Sequence, residues 1–257
     1  MKKLSIYTTQ GMGSFEERIR TIKNAGFDEV CLDFDVYNES PEVTWEYQVG
    51  LADKYGLPIR DIHLPSRGMS AIWSNHIEGD YVADRLIADL KHMKALGLNR
   101  GVFHVTYGLD KPEEPSEIGL NRFLKITEAA EKYGVYVALE NSAFSDYLVY
   151  LLDNIKNKYI GFCYDSGHEN TFGKEFDFLS RFGDRLLCMH LHDNFGTGDD
   201  HAIPFHGSIK WEEKVMLLKK TALWQQVVTL ESTVHAIGNL EEGLRLAYEA
   251  AKKLAEM

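Results

Sequence analysis

The chain has 257 residues, 44% hydrophobic and 26% charged, a balance that supports a sizeable core and excludes a disordered or fibrous chain. One α/β barrel of roughly 250 residues fits that length, and two smaller domains would also fit it. The formal net charge of −11 argues against a broad basic surface for tracking phosphates and so disfavours nucleic acid as a partner, while leaving room for a small metal-lined cleft.

Met1 to Tyr7 run straight into a strand-like segment, with no long apolar stretch and no small-residue cleavage site,. No later run reaches about 18 apolar residues. The expectation is a cytoplasmic protein without a membrane span. From there, short apolar runs alternate with longer amphipathic ones, the pattern of βα units around a parallel sheet. The strand candidates are Lys3 to Tyr7, Glu29 to Phe34, Pro58 to His63, Gly101 to His104, Tyr136 to Glu140, Ile160 to Tyr164, Leu186 to His192 and Gln226 to Glu231.

Between them lie helical patterns such as Tyr81 to Leu96, where Val82, Leu86, Leu90 and Met93 recur at helical spacing, and lastly Leu240 to Leu254,. Gly26, Gly56, Gly97 and Gly134 each stand between a helical pattern and the next strand, where a helix C-cap belongs,. The predicted fold class is α/β, a single (β/α)8 TIM barrel over residues 1–257. An open doubly wound sheet would need a glycine-rich phosphate turn after the first strand, which Thr8 to Gly13 matches poorly,. Cys31, Cys163 and Cys188 lie in strand candidates without CxxC spacing and read as reduced core residues,.

In such barrels the chemistry sits at the carboxyl ends of the strands. Here those ends carry His63, His104, Glu140, Asp165 with His168 beyond it, His190 and Glu231. One carboxylate at a strand end is an ordinary solvated residue. Several brought around one axis would repel unless something cationic sat among them. Glu140, Asp165, His190 and Glu231 form a mixed O/N set suited to one divalent metal ion, Mn, Zn, Co or Mg.

Alternation places Cys163 and Cys188 on the same face as Asp165 and His190, packed below the ion. In Asp165-Ser166-Gly167-His168 the glycine permits a tight turn that returns His168 to the pocket, the alternative being a loop histidine that caps the following helix,. The irregular stretch Asp193 to Ser208 brings Asp199 and His201 beside the cluster. His192 is compatible either with facing the same side or with capping a loop. His76, His92 and His235 have no such company and read as surface or packing residues. Trp45, Trp73, Phe103, Tyr107 and Trp211 suit either apolar walls for a sugar or core packing.

Leu139-Glu140-Asn141, Asp165-Ser166-Gly167-His168, His190-Leu191-His192-Asp193, Asp199-Asp200-His201 and Leu230-Glu231-Ser232 together resemble the xylose isomerase-like TIM barrels over most of the chain. That superfamily includes sugar and sugar-phosphate isomerases, ketose 3-epimerases, inositol-catabolism enzymes and, more distantly, endonuclease IV-type apurinic endonucleases. The resemblance implies a metal-dependent isomerase or epimerase acting on a sugar, sugar phosphate or inosose. Glu140, Asp165, His190 and Glu231 would hold the ion. Glu140 and Glu231 would face each other across the substrate as acid/base groups, passing a proton through an enediolate. His63, His104, His168, Asp199 and His201 would contact the substrate. The partner would be a small-molecule sugar, with no membrane, and a homo-oligomer is compatible with the sequence.

The same residues, His63, His104, Glu140, Asp165, His168, His190, Asp199, His201 and Glu231, also match the three-zinc ligand pattern of the endonuclease IV type, an alternative that would hydrolyse a phosphodiester. Against it stand the acidic balance, the short chain, no arginine-rich wedge beyond Arg67 near Met69, Ile72 and Trp73, and Phe205-His206-Gly207 where that family's phosphate loop is richer in glycine,. A third reading is a ligand-binding barrel without catalysis, which would not need two carboxylates flanking the ion and would exchange no substrate hydrogen with solvent.

Overall fold

The computed structural model describes residues 1–8, 12–34 and 41–257, apart from the side chain of His235. Residues 9–11 of the Thr8 to Gly13 turn, and the packing expected of His235, lie outside what is described. Among the described residues the strands are β1 (Lys3–Tyr7), β2 (Glu29–Asp33), β3 (Ile59–His63), β4 (Arg100–His104), β5 (Tyr136–Glu140), β6 (Ile160–Asp165), β7 (Leu186–His190) and β8 (Val227–Leu230). The helices are α1 (Phe15–Ala25), α2 (Trp45–Lys54), α3 (Ile77–Ala95), α4 (Glu117–Tyr133), α5 (Ser145–Asn154), α6 (Ser166–Phe172), α7 (Phe178–Phe182), α8 (Trp211–Leu218) and α9 (Leu240–Glu256). None of these is long and apolar enough to cross a membrane.

All the strand pairings are parallel, in the order β7-β6-β5-β4-β3-β2-β1-β8. The ring closes just past β7, where Leu191 donates its N–H to the Thr229 carbonyl (3.0 Å) and accepts the Glu231 N–H (3.1 Å). This is the TIM barrel that the alternating pattern predicts. The seventh strand ends at His190 rather than His192, because Leu191 turns to bridge β8 while Asp193 begins an antiparallel bridge to Ala202. The other strand boundaries agree to within a residue.

Helix α3 starts four residues before the apolar periodicity predicts. Its first turn is held by tertiary contact instead: the buried Arg122 of α4 donates to the carbonyls of Ile72, Ser74 and His76 and to Asp80. Gly79 makes room for that guanidinium, since a Cβ there would lie 2.1 Å from Arg122 Nη1. The expected C-cap glycines Gly26, Gly56, Gly97 and Gly134 all have positive φ, which a residue with a Cβ adopts only at a cost.

Outward strand residues pack under the helices: Phe103 against Phe123, and Phe162 against Phe178. Trp73, Phe103 and Trp211 are buried in this layer and thus serve as core. Trp45 stacks between Phe34 and His92, and Tyr107 is exposed. Inside the barrel, Val102, Ala138, Cys163 and Cys188 form a small apolar plug, and all three cysteines are buried and free. Burial pushes their thiols well above the ordinary range, so they act as neutral packing groups.

Candidate metal centre

Register sets the site. His104 pairs with Glu140, and Asp165 pairs with His190, so neighbouring strands end level and project these side chains to the same side. All nine residues singled out in the sequence converge there. Glu140, Asp165 and His190 are fully buried, and the Glu231 side chain is 16% exposed at the mouth. One oxygen or nitrogen from each of these four lies within 4.8 Å of the others. His190 Nδ1 is 3.1 Å from both Glu140 Oε1 and Glu231 Oε2, and 4.0 Å from Asp165 Oδ2.

Two further groups flank this one. His63 and His104 present Nε2 atoms 3.3 Å apart and each 3.4 Å from Glu140 Oε2. On the other side, His168 and His201 bring Nε2 to 3.2 and 3.1 Å from Asp199 Oδ2. Each of these clusters could hold a cation.

Main-chain carbonyls orient the imidazoles. His63 donates Nδ1–H to Leu64 O, His168 to Asn141 O and His201 to Glu231 O, at 3.0, 2.9 and 2.8 Å. Their Nε2 atoms are thereby left facing the centre. His190 is turned the other way. Tyr7 donates its hydroxyl to Asp61 Oδ1 (2.7 Å) and so accepts from His190 Nε2 at 2.9 Å. That leaves Nδ1 without its ordinary proton, facing two carboxylate oxygens. Acceptors this close without a donor between them need a proton or a metal cation, and the buried Glu140 Oε2 has no hydrogen-bond partner,. The donor set therefore fits a divalent ion.

Without one, protons do the neutralising. Burial alone would lower His63, but the Glu140 carboxylate, 3.4 Å from its Nε2, outweighs it and raises the ring to about 9. In the same balance Asp199 and Glu231 raise His201 to about 10. Burial is likewise overcome at His168 and His190, which both stand well above the usual imidazole range. The carboxylates answer in the opposite sense. Burial would raise Glu231, yet His190 holds it at about 2. Glu140 and Asp199 also lie well below the carboxylate range, against burial, because of the surrounding imidazoles.

The loop carrying Asp199 and His201 is tied down by Asp193, whose two oxygens accept from the main-chain N–H groups of Asn194, Ile209 and Phe205 and from Trp211 Nε1–H. Within it, His201 and Phe205 have φ of 47° and 74°, left-handed conformations that side-chain-bearing residues hold only under constraint. His76 is exposed, and His92 pairs with Glu46 on the surface.

Tyr7 and Asp61 contribute to the site with no sequence reading of them, and Asn141 and Asp193 contribute without an assigned role. His192, which the sequence left between facing the site and capping a loop, faces it. Asn141 clamps the end of β6, donating to the Asp165 carbonyl and accepting the Asp165 N–H at 2.8 Å each. The signal for Tyr7 and Asp61 was weak. Both sit at inward positions of ordinary-looking strands, and their meeting, 54 residues apart in sequence, depends on barrel closure.

Known proteins place this geometry in context. Two curated relatives are uncharacterized proteins, one from Sinorhizobium fredii, 44% identical over 63 residues (24% of this chain, 20% of the relative), and one from Methanocaldococcus jannaschii, 31% identical over 131 residues (46% and 44%). The chain thus matches well under two thirds of either relative's length. Among solved structures, a D-tagatose 3-epimerase-like protein superposes with a TM-score of 0.75 at 21% identity over 98% of both chains. The IOLI protein with a binding zinc atom gives 0.79 at 17% identity, over 99% of this chain and 98% of that one. D-psicose 3-epimerase with D-tagatose from Clostridium cellulolyticum H10 gives 0.75 at 15%, over 99% and 100%. At these identities the likeness carries the fold. Residues 19–254 match the family described as Xylose isomerase-like TIM barrel, and the chain belongs to that family.

Proposed function

We propose that this protein is a metal-dependent isomerase or epimerase of a sugar, sugar phosphate or inosose. The observation that carries the reading is the pair Glu140 and Glu231, both 3.1 Å from one ring nitrogen of His190 in a barrel whose solved neighbours include a D-tagatose 3-epimerase-like protein, a D-psicose 3-epimerase and an L-ribulose 3-epimerase. Glu140, Asp165, His190 and Glu231 would hold one divalent ion, Mn, Zn, Co or Mg. Such an ion supplies the charge that polarises a carbonyl and its neighbouring hydroxyl, so that the C–H between them becomes acidic.

Both glutamates are held in the carboxylate form and can accept that proton,. Glu231, whose side chain is 16% exposed at the mouth, would take it. Inversion requires a proton delivered to the opposite face, which Glu140 would relay from an adjacent imidazolium such as that of His63, 3.4 Å away, the proton taken by Glu231 then passing to solvent. Return of the same proton by Glu231 to the adjacent carbon interconverts aldose and ketose. His63, His104, His168, Asp199 and His201 surround this pair and bind sugar hydroxyls. The Glu231→Gln variant should exchange substrate hydrogen with solvent deuterium about 10²- to 10⁴-fold more slowly than wild type in a screen over ketoses, aldoses and inososes. Unchanged exchange would remove Glu231 from the chemistry.

A second reading rests on the two flanking clusters, His63–His104–Glu140 and His168–Asp199–His201, which suit two further zinc ions and a phosphodiesterase of the endonuclease IV type. Metal analysis separates the two: one ion per chain with solvent exchange supports the sugar enzyme, whereas three zinc ions with cleavage of an abasic duplex support the nuclease.

A further inference from the structure

We infer that His192 is a positioning residue that fixes the carboxylate of Asp165 toward the metal centre, and this role rests on the metal-dependent reading above. His192 is fully buried, two residues past the end of β7, and it is built in from every side. Its main chain exchanges two hydrogen bonds with one hydroxyl: Ser166 Oγ accepts the His192 N–H (3.0 Å) and donates to the His192 carbonyl (2.7 Å). Its ring lies parallel to that of His201, with centroids 4.0 Å apart and planes inclined by 8°. The other side of the ring is covered by Gly167, where a Cβ would stand 1.9 Å from His192 Cε1. Only a glycine at 167 admits the imidazole in this place.

The two ring nitrogens have unequal surroundings. Nδ1 is buried and has no partner, whereas Nε2 is 3.1 Å from Asp165 Oδ2. A buried N–H without an acceptor costs more than a buried lone pair in the same position, so the proton sits on Nε2 and His192 donates to Asp165. Asp165 Oδ1 is already taken by the His168 N–H at 2.6 Å. Two donors, one on each oxygen, therefore set the carboxylate plane. The oxygen that His192 holds is also the one facing His190 Nδ1 at 4.0 Å. By stacking on His201, the same ring joins the inner carboxylate set to the Asp199 cluster, with Nε2 also 3.7 Å from Asp199 Oδ1.

The test separates the hydrogen bond from the packing. His192→Phe keeps a flat ring on His201 but loses the donor. His192→Gln loses the ring and returns an N–H to the place of Nε2–H. Chelator-stripped wild type and both variants are titrated calorimetrically with Mn²⁺, and unfolding midpoints are measured in chelator. Hydrogen bonds to metal-ligating groups are worth about 10- to 100-fold in affinity, so His192→Phe should bind Mn²⁺ weaker by that factor, with His192→Gln within about threefold of wild type. Wild-type affinity in His192→Phe, or a loss in His192→Gln as deep as that of the Phe variant, overturns the role. A wild-type protein that takes up no divalent ion overturns the metal-dependent reading and this role with it; uptake by wild type with unchanged affinity in His192→Phe overturns this role alone.

Discussion

The hydroxyl of Tyr7 decides which nitrogen of His190 faces the carboxylates. Because it donates to Asp61, its remaining hydrogen-bonding capacity toward His190 is that of an acceptor. Burial first, then the Asp61 charge, keep the phenol well above its ordinary range, so it stays protonated across the neutral region. Tyr7→Phe removes two buried hydrogen bonds at once and leaves Asp61 short of a partner. The expected result is a folded protein, destabilised by about 1–3 kcal/mol, whose affinity for a divalent ion falls by about 10-fold or more. Denaturant titration and calorimetry on the same preparation check the two halves. Full affinity would mean that packing alone orients His190.

Among the elements, α3, α4 and the 3-10 turn Met69–Trp73 behave as one unit. Trp73 is fully buried and donates its indole N–H to Val105 O. Gly119 of α4 lies against its ring, since a Cβ there would approach to 2.2 Å. Arg122 then gathers the Ile72 and Ser74 carbonyls at the end of the turn, which its helical bonds leave open, and adds a second donor to the His76 carbonyl at the start of α3, which also accepts the Gly79 N–H. Arg122→Met keeps much of the length and removes the donors. It should lower stability by about 2–5 kcal/mol, because the Ile72 and Ser74 carbonyls and Asp80 lose their donor together, while the His76 carbonyl keeps the Gly79 N–H,. Urea unfolding measures the loss, and hydrogen exchange should place it at the start of α3. The candidate metal centre, held by strand ends and by Asp193, should keep any affinity for a divalent ion.

At the scale of the whole molecule, the charge of −11 is distributed so that the barrel mouth balances carboxylates against imidazoles. In the metal-free protein, His63 and His201 have folded values of about 9 and 10, above the unfolded histidine at about 6.5. Their contribution is complete below about pH 6.5 and is lost as pH rises through 9 to 10. Glu231, at about 2 when folded, lies below its unfolded value of about 4.3. Its contribution is present above that value and is lost as pH falls toward 2. Metal-free protein should therefore be most stable between about pH 5 and 6.5 and weaken toward pH 10, as urea midpoints in chelator would show. A cation takes the same nitrogens that otherwise hold the extra protons, so loading metal should release protons at neutral pH and reverse the alkaline loss. Proton release measured in weak buffer reports how many imidazoles are involved: His190 alone for the inner site, more if the flanking clusters fill.

Barrel architecture, strand positions and the ring of ligand-type residues could all be read from the chain, because each is local. Alternation shows a strand, a glycine between a helical pattern and the next strand shows a helix end, and βα order confines strand termini to one rim. Glu140, Asp165, His190 and Glu231 were legible for that reason, and so were His63 and His104. The start of α3 was not, because Arg122 holds it from 42 residues away and apolar periodicity carries no trace of such a contact. Nor could the choice between facing the site and capping a loop be made for His192. The missing Cβ of Gly167 and the flat face of His201 decide it, and both reach His192 through folding. The Tyr7–Asp61 pair, likewise, meets only when the barrel closes. Spacing along one chain thus reveals which groups share a rim; which nitrogen of His190 faces inward depends on hydrogen bonds between distant strands, through Tyr7 and Asp61, and those exist only in the closed ring.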